Sequence, residues 1–457
     1  MKDPRSTPQA ATAPTALKKA LTTPLLYFFI LGDVLGAGVY VLVGQIAADS
    51  GGAVWVPLVV ALCLALLTAA SYAELVTKYP RAGGASHYTT LAYGPFAGFL
   101  AGFCMLAAGI VSVAALARGF AGDYLTEFVS FPVALVVVVF LAALALLNAR
   151  GIRESTRANA VATVVEVSGL LIVIGLGLWI VLRGDGDPGR LTQLGTDSHG
   201  PAAAVLSGAV LAYYSFVGFE TSVNVAEETR DPRRSYPRAL FGALITAGAV
   251  YALVGAAAAA AVPTGRLAES SGPLLEVVRE AGGVPTSLFS AIALVAVANG
   301  ALLTGIMSSR LAFGMARDGL LPGFLTKVLP GRRTPWASIA ATTALSLLLA
   351  LTGDVATLAS TLVLLLLVVF FLVNTSALVL RRRAATAGGA GSAGSAGEQP
   401  VGDHFKAPVA VPFLGAVSCV ALATQVEREV WFRGLIVLAV GAVCGAFAAA
   451  RLRRAAR

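Results

Sequence analysis

The sequence predicts an all-α integral membrane protein of about twelve transmembrane helices, and three observations carry that prediction. Hydrophobic residues make up 57% of the 457-residue chain and charged residues only 12%. The mean hydropathy is +0.81, beyond what soluble domains of this size reach. Apolar runs near the roughly 20 residues that span a hydrocarbon core recur between charged or turn residues. The basic residues segregate: with the amino terminus inside, cytoplasmic segments hold 26 of the 33 Lys and Arg. That asymmetry is the positive-inside pattern and places both termini in the cytoplasm of a multi-pass protein, expected in the plasma (cytoplasmic) membrane.

The elements follow in order. Residues 1–21 are polar, Pro- and Ala-rich, end near Lys18-Lys19, and read as a cytoplasmic tail without a cleavable signal. Five runs follow, near 25–47, 53–77, 96–121, 131–149 and 156–182; the cluster Arg150, Arg153 and Arg157 marks the cytoplasmic turn between the last two. Five more lie near 202–226, 239–262, 286–316, 337–352 and 355–380. Arg230, Arg233, Arg234 and Arg238 precede the second of these, and Thr352-Gly353-Asp354 is a tight turn dividing the last two. Segment 381–408 opens on three arginines and contains a Gly/Ala/Ser stretch, 387–400, that reads as a flexible linker. Runs 409–425 and 431–450 and a basic tail, 451–457, complete the chain. The ten helices before the linker divide into two sets of five, 22–182 and 202–380, with 409–450 as an added pair.

If the two sets correspond, the first run pairs with the sixth, and both are interrupted by glycine. The first reads Leu31-Gly32-Asp33-Val34-Leu35-Gly36-Ala37-Gly38-Val39-Tyr40, and the sixth Ala212-Tyr213-Tyr214-Ser215-Phe216-Val217-Gly218-Phe219-Glu220. Irregular backbone at membrane depth is tolerated only where it is buried or lines a cavity. Close helix packing is the competing explanation for small residues alone. Glycine-interrupted helices in matching positions of two halves point to a transport site. Half-helix amino termini favour an anion and freed carbonyls favour a cation, so a zwitterion bearing carboxylate and ammonium suits the pair.

Other chemistry is poorly supported. Cys63, Cys104, Cys419 and Cys444 lie in apolar runs without metal-ligand spacing. His87, His199 and His404 assemble no catalytic cluster, so neither an enzyme nor a cofactor is expected. The net charge of +9 follows from topology, not from a nucleic-acid-binding face. A phosphate-binding loop, which a pump would need, is missing.

Four motifs carry a resemblance. Residues 32–44, Pro80-Arg81-Ala82-Gly83-Gly84, the stretch from Phe216 to Pro237, and Ser309-Arg310 through Leu321-Pro322 resemble, in order, segments of the amino acid–polyamine–organocation permeases. The likeness is greatest to the cationic amino acid transporter branch. It implies the leucine-transporter fold, two inverted five-helix repeats plus two helices. It also implies that Gly36, Ala37 and Gly38 present amides to a substrate carboxylate, while carbonyls near Val34 and at Phe216 and Val217 take the ammonium. Phe216 would cover the substrate as an inner gate, and Gly218 would permit the helix break. Ala107, Ala108, Ser112, Asn299 and Thr304 are candidates for the side-chain subsite. The chain departs from the pattern twice. Leu106-Ala107-Ala108-Gly109 lacks the acid of the cationic branch, so small neutral amino acids are expected to compete better than lysine or arginine. Glu166 stands where many proton-coupled relatives carry a lysine. It is the candidate proton carrier, with Asp33 as substrate sensor and tuning group; Glu220 reads equally well as a structural partner.

The expected activity is secondary transport of an amino acid or related amine, coupled to protons and directed inward. An exchanger is the alternative. A non-transporting sensor would be expected to add a soluble signalling domain. A sodium site using Ser308 or Ser309 is the weaker coupling option. The sequence leaves the oligomeric state open.

Overall fold

A computed structural model describes residues 22–80, 83–150, 155–196, 200–389 and 404–455. The helices are α1 (Thr23–Val34), α2 (Gly38–Ser50), α3 (Trp55–Lys78), α4 (Gly84–Tyr93), α5 (Pro95–Phe120), α6 (Asp123–Thr126), α7 (Val133–Arg150) and α8 (Ser155–Leu182). After them come α9 (Pro201–Ser215), a 3-10 segment (Phe219–Glu228), α10 (Pro232–Ala261), α11 (Thr264–Glu269), α12 (Pro273–Ala281) and α13 (Thr286–Arg317). The last are α14 (Trp336–Thr352), α15 (Val355–Gly389), α16 (Ala410–Ala423) and α17 (Arg428–Ala455). Among the described residues, eight helices are long and apolar enough to cross a membrane, and α1 with α2 forms a pair bent by 49°. Helices α9, α14 and α16 are apolar but shorter. Each apolar run read from the sequence coincides with one of these helices, except the first, which is the bent pair, and 202–226, which α9 covers only in part. Lys18-Lys19, Arg81, Arg153 and most of the 387–400 linker lie outside the described residues.

Large apolar side chains such as Val164, Leu178, Trp179, Phe432 and Phe447 are exposed on the outer helices, as a lipid-facing surface requires. Leu26 and Ile30 of α1, Val39 and Tyr40 of α2, Tyr213 of α9 and Tyr251 of α10 are instead buried. The first break lies at Leu35–Ala37, where the Gly36 amide turns back on the Val34 carbonyl at 2.6 Å. The second follows Ser215: Phe216 and Val217 amides bond to Tyr213 and Tyr214 carbonyls at 3.1 Å, and Gly218 takes φ +129°. That region disfavours any β-carbon. The run 202–226 is therefore a helix ending at Ser215 followed by a 3-10 segment.

The two breaks lie side by side. A β-carbon at residue 38 would sit 3.0 Å from Ser215 Cα, and one at residue 218 would sit 2.7 Å from the Asp33 carbonyl. Two tyrosines lock α10 to α1: Tyr27 donates to Thr246 at 2.9 Å and Tyr251 to the Val34 carbonyl at 2.6 Å. Residues 264–281, expected only as an outer loop, fold into α11 and α12 over the amino end of α13 and against α2.

Candidate functional site

Helices α1, α2, α5, α9, α13 and α15 surround a cavity of about 490 Å³ at the breaks, within the range of small-ligand sites. Asp33, Val34, Gly36, Ala37 and Gly38 of the first break line it, as do Val217, Gly218 and Glu220 of the second. Ala108 of α5 and Asn299 of α13 complete the wall, with Glu166 of α8 at its edge. The structure thus brings together every expected site residue except Phe216 and Ala107. The Phe216 ring is fully buried and packs edge-on against Tyr251, 5.5 Å between centroids at 73°. The ring therefore does not line the cavity, where the expected inner gate would have placed it. Tyr214, two residues earlier, lines it instead, its hydroxyl 3.1 Å from Ser112. Ala107 does not line it either, whereas Ser112 and Thr304 do.

The polar backbone at the breaks is unequally available. Among the described residues, the Ala37 and Gly38 amides have no hydrogen-bond acceptor, as the first amides of a helix lack an intrahelical one. The Gly36 amide is spent on Val34. The Val34 carbonyl receives both that amide and the Tyr251 hydroxyl, which fills its two lone pairs. The carbonyls of Phe216 and Val217 accept from none of the described residues.

Three carboxyl groups border the cavity. Asp33 accepts a short hydrogen bond from the Thr221 hydroxyl, which also donates to the Gly218 carbonyl at 2.8 Å. Glu220 accepts from the Gly218 amide at 2.9 Å, reaching back to the residue that precedes the 3-10 segment. Glu166 differs from both. Its side chain is 1% exposed, and its Oε1 has no hydrogen-bond partner. Tyr40 holds its main chain by donating to the Glu166 carbonyl at 2.5 Å. Asp33 is bound to the 3-10 segment, in a cluster of Asp33, Thr221 and Glu220 around Gly218. Thr221 was missed; a hydroxyl three residues past a helix-breaking glycine is the signal that could have found it.

The wall descends from the breaks to Gly84–Ser86 and Arg310, at the end where α3 finishes and α4 begins. The opposite end is closed. Tyr124 donates to the Tyr40 carbonyl at 2.7 Å, and Asp123 accepts from Ser270 and the Ser271 amide, each at 2.9 Å. Glu127 accepts from Thr286 and pairs with Arg279 at 3.1 Å. The Thr286 hydroxyl and the Arg279 guanidinium hold the Glu127 carboxyl below the usual carboxylate range. Ser308 and Ser309 donate back to the Thr304 and Ile306 carbonyls, at 2.8 and 2.9 Å.

A family model described as amino acid permease matches residues 21–447. An uncharacterised transporter of Mycobacterium tuberculosis is 35% identical over 329 residues, 71% of this chain and 72% of its own. The vacuolar cationic amino acid transporter 4 of Arabidopsis thaliana is 31% identical over 76% of this chain and 60% of its own. A branched-chain amino acid permease of Bacillus subtilis is 26% identical over 72% of this chain and 74% of its own.

Proposed function

Because the chain belongs to the amino acid permease family, we propose that it is a secondary active transporter that carries a small neutral amino acid by alternating access, coupled to protons. The observation that carries this reading is the cavity at the two breaks, where the unpaired amides of Ala37 and Gly38 and the unpaired carbonyl of Val217 border a space of amino-acid size. The Ala37 and Gly38 amides, at the positive end of α2, take the carboxylate. The carbonyl of Val217 takes the ammonium, with the Asp33 carboxylate beside it. The lining of α5 consists of uncharged residues, among them Met105, Ala108 and Ser112, so a basic side chain would be buried there without a partner.

Glu166 carries or gates the proton. A buried carboxyl with an unmet oxygen is a group whose charge state matters to its surroundings, and it borders the cavity. Residues 22–182 and 202–380 act as the two repeats, each contributing one broken helix. With the Lys- and Arg-rich ends in the cytoplasm of a cytoplasmic membrane, the cavity faces inward and the α11–α12 segment closes the outside.

Counterflow in proteoliposomes tests the substrate. Radiolabelled alanine, serine, leucine, lysine and arginine are offered to vesicles loaded with the same unlabelled compound. Accumulation of small neutral amino acids above the basic ones is expected. Counterflow of arginine above all others, or of none, would overturn the assignment.

A further inference from the structure

We propose that Arg310 is an anion-docking residue in the cavity wall, a second station that receives the carboxylate of the amino acid between the helix breaks and the cytoplasmic end; this rests on the transport reading above. Arg310 is the one cationic side chain among the described residues lining the cavity; the other charged groups there are Asp33, Glu166 and Glu220. Its Nη1 donates to the Ile306 carbonyl at 3.0 Å and to Asn148 Oδ1 at 3.4 Å, both neutral. Among the described residues no carboxylate pairs with it, and Nε and Nη2 have no acceptor. A guanidinium presents five donors in a planar fork matched to a carboxylate, and most of that fork is unused.

Its place along α13 separates it from the breaks. A β-carbon at Gly300 would lie 3.6 Å from Ala37 Cβ, so Gly300 is level with the first break. Arg310 is ten residues further on, about 15 Å along the axis, and its side chain leans back one turn toward Ile306. The guanidinium is then on the order of 10 Å from the Ala37 and Gly38 amides, too far for one carboxylate to touch both. The two positions therefore act in turn. An amino acid released at the breaks finds Arg310 on its way out, and one entering from that end meets Arg310 before the three carboxyl groups.

Oriented proteoliposomes carrying the full chain give the first readout. Arg310→Gln is expected to raise the KM for L-alanine at the cytoplasmic face about tenfold, with the outer-face KM unchanged and Arg310→Lys restoring most of the loss. An unchanged cytoplasmic KM, or an equal rise at both faces, overturns the proposal. The second readout does not need transport. Met307 lines the cavity three residues before Arg310, on the same helix face. With the four native cysteines replaced by serine, the thiol of Met307→Cys is expected to react faster with an anionic sulfonatoethyl methanethiosulfonate than with its trimethylammonium counterpart. Adding Arg310→Gln should reverse that preference; an unreversed preference means that Arg310 attracts no anion. If no amino acid is carried at all, the transport reading falls and the labelling alone decides the docking role.

Discussion

A β-carbon at position 38 has no free space: Ser215 Cα, Tyr214 Cδ1 and Ser215 Oγ would lie 3.0, 3.1 and 3.2 Å away. Gly38→Leu should therefore force the breaks apart at the amides assigned to the carboxylate. Overpacking of this kind costs roughly 1–3 kcal/mol, so substrate affinity should drop about 5- to 150-fold while the protein still inserts. Scintillation proximity binding on the purified variant checks this, and wild-type affinity would remove the first break from the site. The same scale shows what sequence reading could and could not reach. Asp33, Gly36 to Gly38 and Gly218 were legible because glycine and an acid are costly inside an apolar helix. The direction of Phe216 was not, because helical phase holds only while the helix continues, and α9 ends at Ser215. Arg310 was legible as a motif residue but not as cavity wall, since that depends on how α13 lies against α5 and the loop after α3.

At the scale of elements, the breaks depend on each other. Gly218 takes φ +129° with its missing β-carbon aimed at the Asp33 carbonyl 2.7 Å away, so strain and crowding act together. Gly218→Ala should destabilise the protein by about 1–3 kcal/mol and weaken substrate binding with it. Thermal unfolding in detergent with and without substrate measures both. A variant with an unchanged Tm and full binding would mean that the 3-10 segment tolerates an ordinary residue there. The apolar runs located the long helices because lipid demands an uninterrupted hydrogen-bonded stretch. They did not separate α9 from the 3-10 segment, since the residues that follow Gly218 include hydrophobic ones that read as more helix. Nor did they reveal α11 and α12, whose amphipathic residues pack onto α2 and α13 rather than into lipid.

For the whole molecule, the account needs one end closed while the other is open, and the closed end is held partly by charge. Thr286 and Arg279 keep the Glu127 carboxyl below its usual range. A carboxyl depressed in the folded state contributes stability that is complete above its unfolded value, near 4.3, and is lost as pH falls through the lower folded value. Glu127→Gln should thus lower the Tm slightly at neutral pH, by the small amount expected of a partly exposed pair, and the gap to wild type should close below about pH 4. A gap that widens in acid would show that the pair does not hold the outer closure.

In the proposed mechanism a pH gradient drives the substrate through this cavity by way of Glu166. Wild-type and Glu166→Gln proteins in matched proteoliposomes, given a labelled small neutral amino acid and only an imposed pH gradient, test it most directly. The account predicts that wild type concentrates the substrate, while Glu166→Gln, fixed in the neutral form, still exchanges it but no longer accumulates it. Accumulation by Glu166→Gln at the wild-type level would contradict the account, make Glu166 structural, and leave Asp33 as the carboxyl to test.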